Sequence, residues 1–147
     1  MKRLSLPPLI KHFEAFSAFA DNRIKKIDEK NYEIVSSDAS KIYRIYVESI
    51  NDKEFLVYSN DNGTILRGYI GYPILAVLIE KKILEMPKNY LVLKGIKWRE
   101  LNEKYKNYQK VLEIVKSRIG DKSFEEILNV ALSNQEKLSK LIFYLKT

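Results

Sequence analysis

The stretch GTILRGYIGYPILAVLIEKKIL, from Gly63 to Leu84, decides the fold because it joins the two residue patterns of the chain. It holds three of the five glycines, a Gly-Tyr-Pro corner and the most apolar dozen residues in the sequence. We predict a strand that turns at Gly68 and Gly71 and leads directly into a buried helix beginning at Pro73. Strands are therefore expected before this corner and helices after it.

The residues before the corner predict one helix and a meander of strands. Apolar residues recur at helical spacing from Leu9 to Ala20, and from Arg23 onwards the apolar period falls to two. Asn62-Gly63 favours a tight hairpin because both residues readily adopt positive φ. The predicted antiparallel strands are Arg23 to Asp28, Tyr32 to Val35, Lys41 to Glu48, Glu54 to Ser59 and Thr64 to Ile70.

The residues after the corner predict a series of helices. A short segment from Lys88 to Lys94 should end at Gly95, and a long amphipathic helix should run from Lys97 to Ile119. Capping boxes at Ser123 and Ser133 predict two further helices, the second reaching Leu145.

These elements predict an α+β fold in which the C-terminal helices pack on one face of an antiparallel sheet of four or five strands. At 147 residues the chain is long enough for one core and short for two, so we expect a single domain. Residues 1–72 would form its helix and sheet half and residues 73–147 its helical half.

Composition excludes several classes of protein. The chain has no cysteine, which removes disulfides, thiolate metal sites and a cysteine nucleophile. It has no apolar run of about 18 residues and no secretory signal pattern at its start, so we expect a cytoplasmic protein without a membrane partner. We expect no metal and no cofactor.

Abundant Lys and Ile with few Gln are typical of thermophiles, although an AT-rich genome also produces them.

The positive charge is concentrated in one part of the chain. The formal net charge is +7, and residues 80–118 carry 11 basic and 5 acidic side chains. An anionic partner is therefore expected to bind this segment.

The order of helices from Ile74 to Ile119 is similar to a helix-turn-helix, whose last helix enters the major groove of DNA. The residues expected to contact nucleic acid are Lys88, Lys94, Lys97, Arg99, Lys104 and Lys106. The alternative is a solvated helix face with internal ion pairs such as Arg99 with Glu103.

The glycine corner is a second candidate site. Glycines between a strand and a helix can let backbone N–H groups approach an anion, and Arg67 would add a counter-charge beside Gly68 and Gly71. The alternative is a purely structural turn, since no phosphate-binding fingerprint is present.

The sheet tyrosines and the single histidine are two further candidates. Tyrosines on the predicted sheet could stack single-stranded bases beside Arg44 and Arg67, although tyrosine is also simply a favoured strand residue. His12, the single histidine, lies beside an apolar stripe, which favours a half-buried packing residue over a general base. The tyrosines are Tyr32, Tyr43, Tyr46, Tyr58 and Tyr69.

No residue is predicted to be catalytic, because the signatures of hydrolases and metalloenzymes are missing. The sequence therefore favours a small basic binding protein that contacts nucleic acid or a nucleoprotein complex through its helical half. The alternatives are a protein-interaction subunit or homodimer, and an enzyme with a site at the Gly68 to Pro73 corner.

Overall fold

All 147 residues are described in a computed structural model, which contains six α-helices, five strands and one 3-10 helix. The helices are α1 (Ile10–Ala20), α2 (Asn62–Ile65), α3 (Tyr72–Glu80), α4 (Trp98–Tyr105), α5 (Tyr108–Ile119) and α6 (Asp121–Ser139), with the 3-10 helix at Tyr90–Leu93. The strands are β1 (Ile24–Lys26), β2 (Asn31–Val35), β3 (Ile42–Ser49), β4 (Glu54–Ser59) and β5 (Ile142–Leu145). The predicted α+β fold is confirmed.

The strands form one sheet in the order β1-β2-β3-β4-β5. The first four make the predicted antiparallel meander, and Tyr46 faces Tyr58 across β3 and β4. The fifth strand is parallel to β4, and the Phe55 and Phe143 rings stack across this pair with centroids 5.0 Å apart. The sheet is therefore mixed, although mostly antiparallel.

A cluster of 30 buried hydrophobic residues joins the sheet to the helices. Ile45 and Val47 supply its sheet side, and α3 covers them because Ile74 to Ile79 are buried almost all round. Pro73 lies in the first turn of α3, as predicted, where its missing N–H costs no hydrogen bond. None of the helices has both the length and the apolar character that crossing a bilayer requires.

The predicted strand from Thr64 to Ile70 is wrong, as is the Asn62-Gly63 hairpin. Asp61 instead accepts the N–H of Thr64 at 3.1 Å and caps the short helix α2. In this stretch Tyr69 forms only an isolated bridge with Ser5, which lies outside the five strands. A carboxylate that caps the helix here outweighs the local preference of Asn-Gly for a hairpin.

The predicted single helix from Lys97 to Ile119 is two helices. Lys106 adopts a left-handed conformation with φ of 51°, which ends α4. The Asn107 side chain then accepts the N–H of Lys110 at 3.1 Å and begins α5. A helix cap at Asn107 therefore divides the residues whose apolar periodicity predicts one helix.

The C-terminal prediction is wrong in two respects. Helix α6 begins at Asp121 and continues through Ser133 to Ser139 without a break. Residues Ile142–Leu145 form strand β5 rather than helix, and they cover the edge of β4 that the missing Thr64–Ile70 strand leaves open.

Candidate anion-binding cleft

A cavity of about 610 Å³ lies between α1, the β2–β3 loop, α2 with its following turn, and α4. We call it the cleft. Most of its lining side chains are polar or charged, and six basic residues face three acidic ones. The basic residues are Lys11, Arg23, Lys41, Arg67, Arg99 and Lys106, and the acidic residues are Glu14, Asp61 and Glu103.

A buried ion pair from α1 forms one wall of the cleft. Lys11 Nζ lies 2.9 Å from Glu14 Oε2, and the two side chains are 13% and 6% exposed. Burial lowers the pKa of Lys11, but the Glu14 carboxylate and the nearby Tyr69 and Tyr108 outweigh it and raise the pKa above its usual value. The ammonium also lies 5.0 Å from the centre of the Tyr108 ring. Lys11 is therefore a permanent cation in this wall.

Arg23 and Tyr72 form a second fixed part of the wall. Arg23 Nη1 donates to the Val35 carbonyl at 2.6 Å and to the Tyr72 hydroxyl at 3.3 Å. Burial raises the pKa of Tyr72, so its hydroxyl stays neutral. The rings of Tyr43 and Tyr72 meet edge to face, with centroids 5.9 Å apart. This part of the cleft is therefore formed before any ligand arrives.

Three cations at the mouth of the cleft have no partner within the protein. Lys41, Arg67 and Lys106 line the cavity and are exposed, and no carboxylate lies within 4 Å of their charged groups. They come from the β2–β3 loop, the turn after α2 and the turn between α4 and α5. We call these three residues the basic rim. Three unpaired cations that line one cavity are suited to hold an anion.

Helix α4 brings two unpartnered polar atoms to the cleft. Trp98 is 1% exposed and Asn102 follows it by four residues on the same helix, and both side chains line the cavity. The Trp98 indole Nε1 and the Asn102 Oδ1 are buried and have no hydrogen-bond partner in the protein. Such groups are costly to bury unless a ligand or water satisfies them.

The glycine corner contributes its arginine to the cleft, whereas the Gly71 N–H and the Gly68 carbonyl already have partners within the protein. The Gly71 N–H donates to Thr64 Oγ1 at 3.2 Å, and the Gly68 carbonyl accepts the N–H of Ser5 at 2.9 Å. The Asp61 carboxylate lies so close to the Gly71 Cα that an added methyl group would overlap it. An internal carboxylate therefore lies beside the corner where an external anion was predicted.

The six predicted nucleic-acid residues do not form one group. Arg99 and Lys106 line the cleft, whereas Lys88 lines a separate cavity beside α6. Lys94 and Lys97 are exposed before α4, and Lys104 Nζ lies 5.2 Å from the centre of the Tyr105 ring.

The N-terminal turn of α4, whose residues are predicted to contact nucleic acid, lies against the β2–β3 loop. Trp98 is in the core, and the Arg99 N–H donates to Ser37 Oγ at 3.1 Å. Arg99 Nε lies 3.5 Å from both Asp38 and Glu103, so its charge is balanced.

His12 is completely buried rather than half-buried, and it lies outside the cleft. Its Nε2 is 2.7 Å from Gln135 Oε1, so Nε2 carries the proton, and Nδ1 has no partner. Gln135 in turn donates to the Pro7 carbonyl at 2.8 Å. Burial lowers the pKa of His12, and its bond to Gln135 only partly opposes this. The histidine is a neutral core residue.

The sheet tyrosines do not form one stacking platform. Tyr32 and Tyr43 lie on the face that the helices cover, whereas Tyr46 and Tyr58 lie on the opposite face. Tyr69 lies outside the sheet, with its hydroxyl 3.5 Å from that of Tyr108.

Sequence reasoning missed Lys11, Glu14, Lys41 and Asn102. One signal was available, because Lys11 and Glu14 are spaced three residues apart beside the apolar stripe of α1, where an ion pair forms readily. Lys41 and Asn102 carry no comparable signal, since only the folded chain brings their elements to one cavity.

Residues 4–143 match a protein-family model described as Uncharacterised conserved protein UCP014422. No curated protein and no solved structure matches the chain.

Proposed function

This chain belongs to the family described as Uncharacterised conserved protein UCP014422, and we propose that it is a small binding protein whose cleft holds a small anionic molecule. The observation that carries the proposal is the basic rim, in which Lys41, Arg67 and Lys106 line one cavity without an internal partner. Ligand sites commonly enclose about 300–1,000 Å³, a range that includes the cleft volume of about 610 Å³.

The character of the wall supports a polar ligand. The cleft is lined mainly by charged and hydrogen-bonding side chains, and few apolar residues reach it. A positively charged concave site concentrates field lines and attracts anions. The fixed Lys11–Glu14 and Arg23–Tyr72 contacts favour binding, since little side-chain freedom remains to be lost there.

Trp98 supplies the readout for a direct test, because it is the only tryptophan in the chain and lines the cleft. Inorganic phosphate is titrated at low salt while Trp98 fluorescence is recorded. The rim variant carries Lys41→Gln, Arg67→Gln and Lys106→Gln. The matched variant carries Lys88→Gln, Lys94→Gln and Lys97→Gln, which remove the same charge elsewhere.

The proposal predicts saturable phosphate binding that weakens at least tenfold in the rim variant and less than twofold in the matched variant, about 1.4 kcal/mol for each factor of ten. Equal losses in both variants would mean that only the net charge matters. Either that result or the absence of saturable binding would refute the proposal.

Nucleic-acid contact through the helical half is a second candidate. Lys88, Lys94 and Lys97 are exposed and have no carboxylate partner, which favours it. It predicts that affinity for duplex or single-stranded nucleic acid falls steeply with salt and that the matched variant weakens it. An absence of binding at low salt would exclude this candidate.

A further inference from the structure

We propose that the cleft is built for a phosphomonoester attached to a planar group that carries a hydrogen-bond acceptor next to an N–H donor, the chemistry of a nucleoside monophosphate. This inference rests on the proposed anion-binding function and specifies its ligand. It is carried by the combination of the basic rim with the unpartnered Trp98 and Asn102.

The basic rim favours a phosphate group over a single carboxylate. A phosphomonoester carries nearly two negative charges at neutral pH and presents three strong acceptor oxygens. The rim offers three cations, and the cleft as a whole has six basic side chains against three acidic ones. Arg67 can bind two oxygens with its planar fork, whereas Lys41 and Lys106 act as point charges.

The unpartnered atoms of α4 favour an amide-like group on the same ligand. The Trp98 Nε1 can only donate a hydrogen bond, and the Asn102 Oδ1 can only accept one, and neither has a protein partner. Residues four apart lie on the same side of a helix. A carbonyl next to an N–H, as on the edge of uracil or guanine, satisfies both atoms at once.

Aromatic side chains in the same cavity fit a planar base. Tyr43, Tyr72 and Tyr108 line the cleft together with Trp98. Stacking on aromatic rings is the usual way in which proteins hold bases without reading their sequence. A sugar phosphate without a base would leave the two α4 atoms without a partner.

Calorimetry with three probes tests the inference on the full chain. The probes are uridine 5′-monophosphate, ribose 5-phosphate and uridine. We expect uridine monophosphate to bind at least tenfold more tightly than either of the other two, because only it carries both the phosphate and the base.

The Asn102→Leu variant separates the two ends of the ligand. Since Asn102 Oδ1 makes no bond within the protein, its removal breaks no internal hydrogen bond. We expect this variant to weaken uridine monophosphate about tenfold and to leave ribose 5-phosphate within twofold of the original. The retained sugar-phosphate affinity then shows that the fold is intact.

The remaining outcomes distinguish the inference from the proposed function. Equal affinity for uridine monophosphate and ribose 5-phosphate, with both reduced by the rim variant, would overturn the inference and leave the anion site standing. Uridine binding as tightly as its phosphate would overturn the inference as well. If no phosphomonoester binds the original protein, both proposals fail.

Discussion

The Lys11 ammonium lies 2.9 Å from the Glu14 carboxylate, one turn apart on α1 and largely withdrawn from water. The two charges neutralise each other in the wall of the cleft, so the exposed rim carries the unpaired positive charge. Removing one partner leaves the other buried and uncompensated.

Glu14→Ala is therefore expected to lower the free energy of unfolding by about 3 kcal/mol, as is typical when one member of a buried pair is lost. The double variant Lys11→Met with Glu14→Leu should recover most of this loss, because no buried charge remains. Urea unfolding of the single and double variants measures both values. A double variant no more stable than Glu14→Ala would contradict an energetic coupling between the two residues.

We expect that residue 71 must be glycine because the Asp61 carboxylate leaves no room for a side chain there. The backbone does not demand glycine, since a φ of −76° is open to any residue. Gly71→Ala should destabilise the protein by about 2 kcal/mol, because the added methyl group overlaps a buried side chain. Thermal unfolding gives the effect.

Asp61→Ser supplies the control for Gly71. Serine can still cap α2 but is shorter than aspartate, so Gly71→Ala should cost much less in that background. If the loss is unchanged by Asp61→Ser, the close approach of Asp61 is not the reason for the glycine.

His12 is expected to make stability sensitive to acid. Burial lowers its pKa in the folded protein, so the unfolded chain binds the proton more tightly. The pKa of histidine in the unfolded chain is about 6.5. Above this pH the neutral His12 does not lower the free energy of unfolding. Below it the free energy of unfolding falls, by at most about 1.4 kcal/mol per pH unit. Urea unfolding at pH 7.5 and pH 5.5 should show the decrease. His12→Leu should have a smaller difference between the two pH values, and an equal difference would assign the effect to other groups.

Lys106 is expected to lower the stability of the fold while strengthening anion binding. A non-glycine residue in the left-handed region costs about 1 kcal/mol, and Lys106 has φ of 51°. Lys106→Gly should raise the melting temperature while weakening phosphate binding. Lys82→Gly is the matched control, since Lys82 has φ of 65° and lies outside the cleft, so it should gain stability without losing affinity. Loss of affinity in both variants would contradict a specific role of the Lys106 charge in anion binding.

The sequence predicted those parts of the fold that depend on local patterns. Helix α1, the four meander strands and the presence of a helix beginning at the Gly71–Pro73 corner follow from periodicity and from Pro and Gly positions. Its errors lie where a single side chain overrides the local pattern, as Asp61 does in capping α2 and Asn107 in beginning α5. The strand at Ile142–Leu145 depends on pairing with β4, about 90 residues earlier in the chain, which no local pattern reveals.

The candidate site was predictable only in part. Arg67, Arg99 and Lys106 were singled out because of charge and position, and all three line the cleft. Lys41 and Asn102 were not, because their role depends on which surfaces of the β2–β3 loop and α4 meet after folding. The positive excess of residues 80–118 points to only one of the three rim cations, Lys106, because Lys41 and Arg67 lie outside that segment.

The most direct test of the anion-binding cleft is the proton–nitrogen NMR resonance of the Trp98 indole, which is unique because the chain has one tryptophan. Titration with uridine 5′-monophosphate should move this resonance to a saturating position, and the rim variant should require at least tenfold more ligand to reach it. An indole resonance that stays fixed, while backbone amides around Lys88 to Lys97 shift instead, would contradict the cleft and locate anion binding on the helical surface.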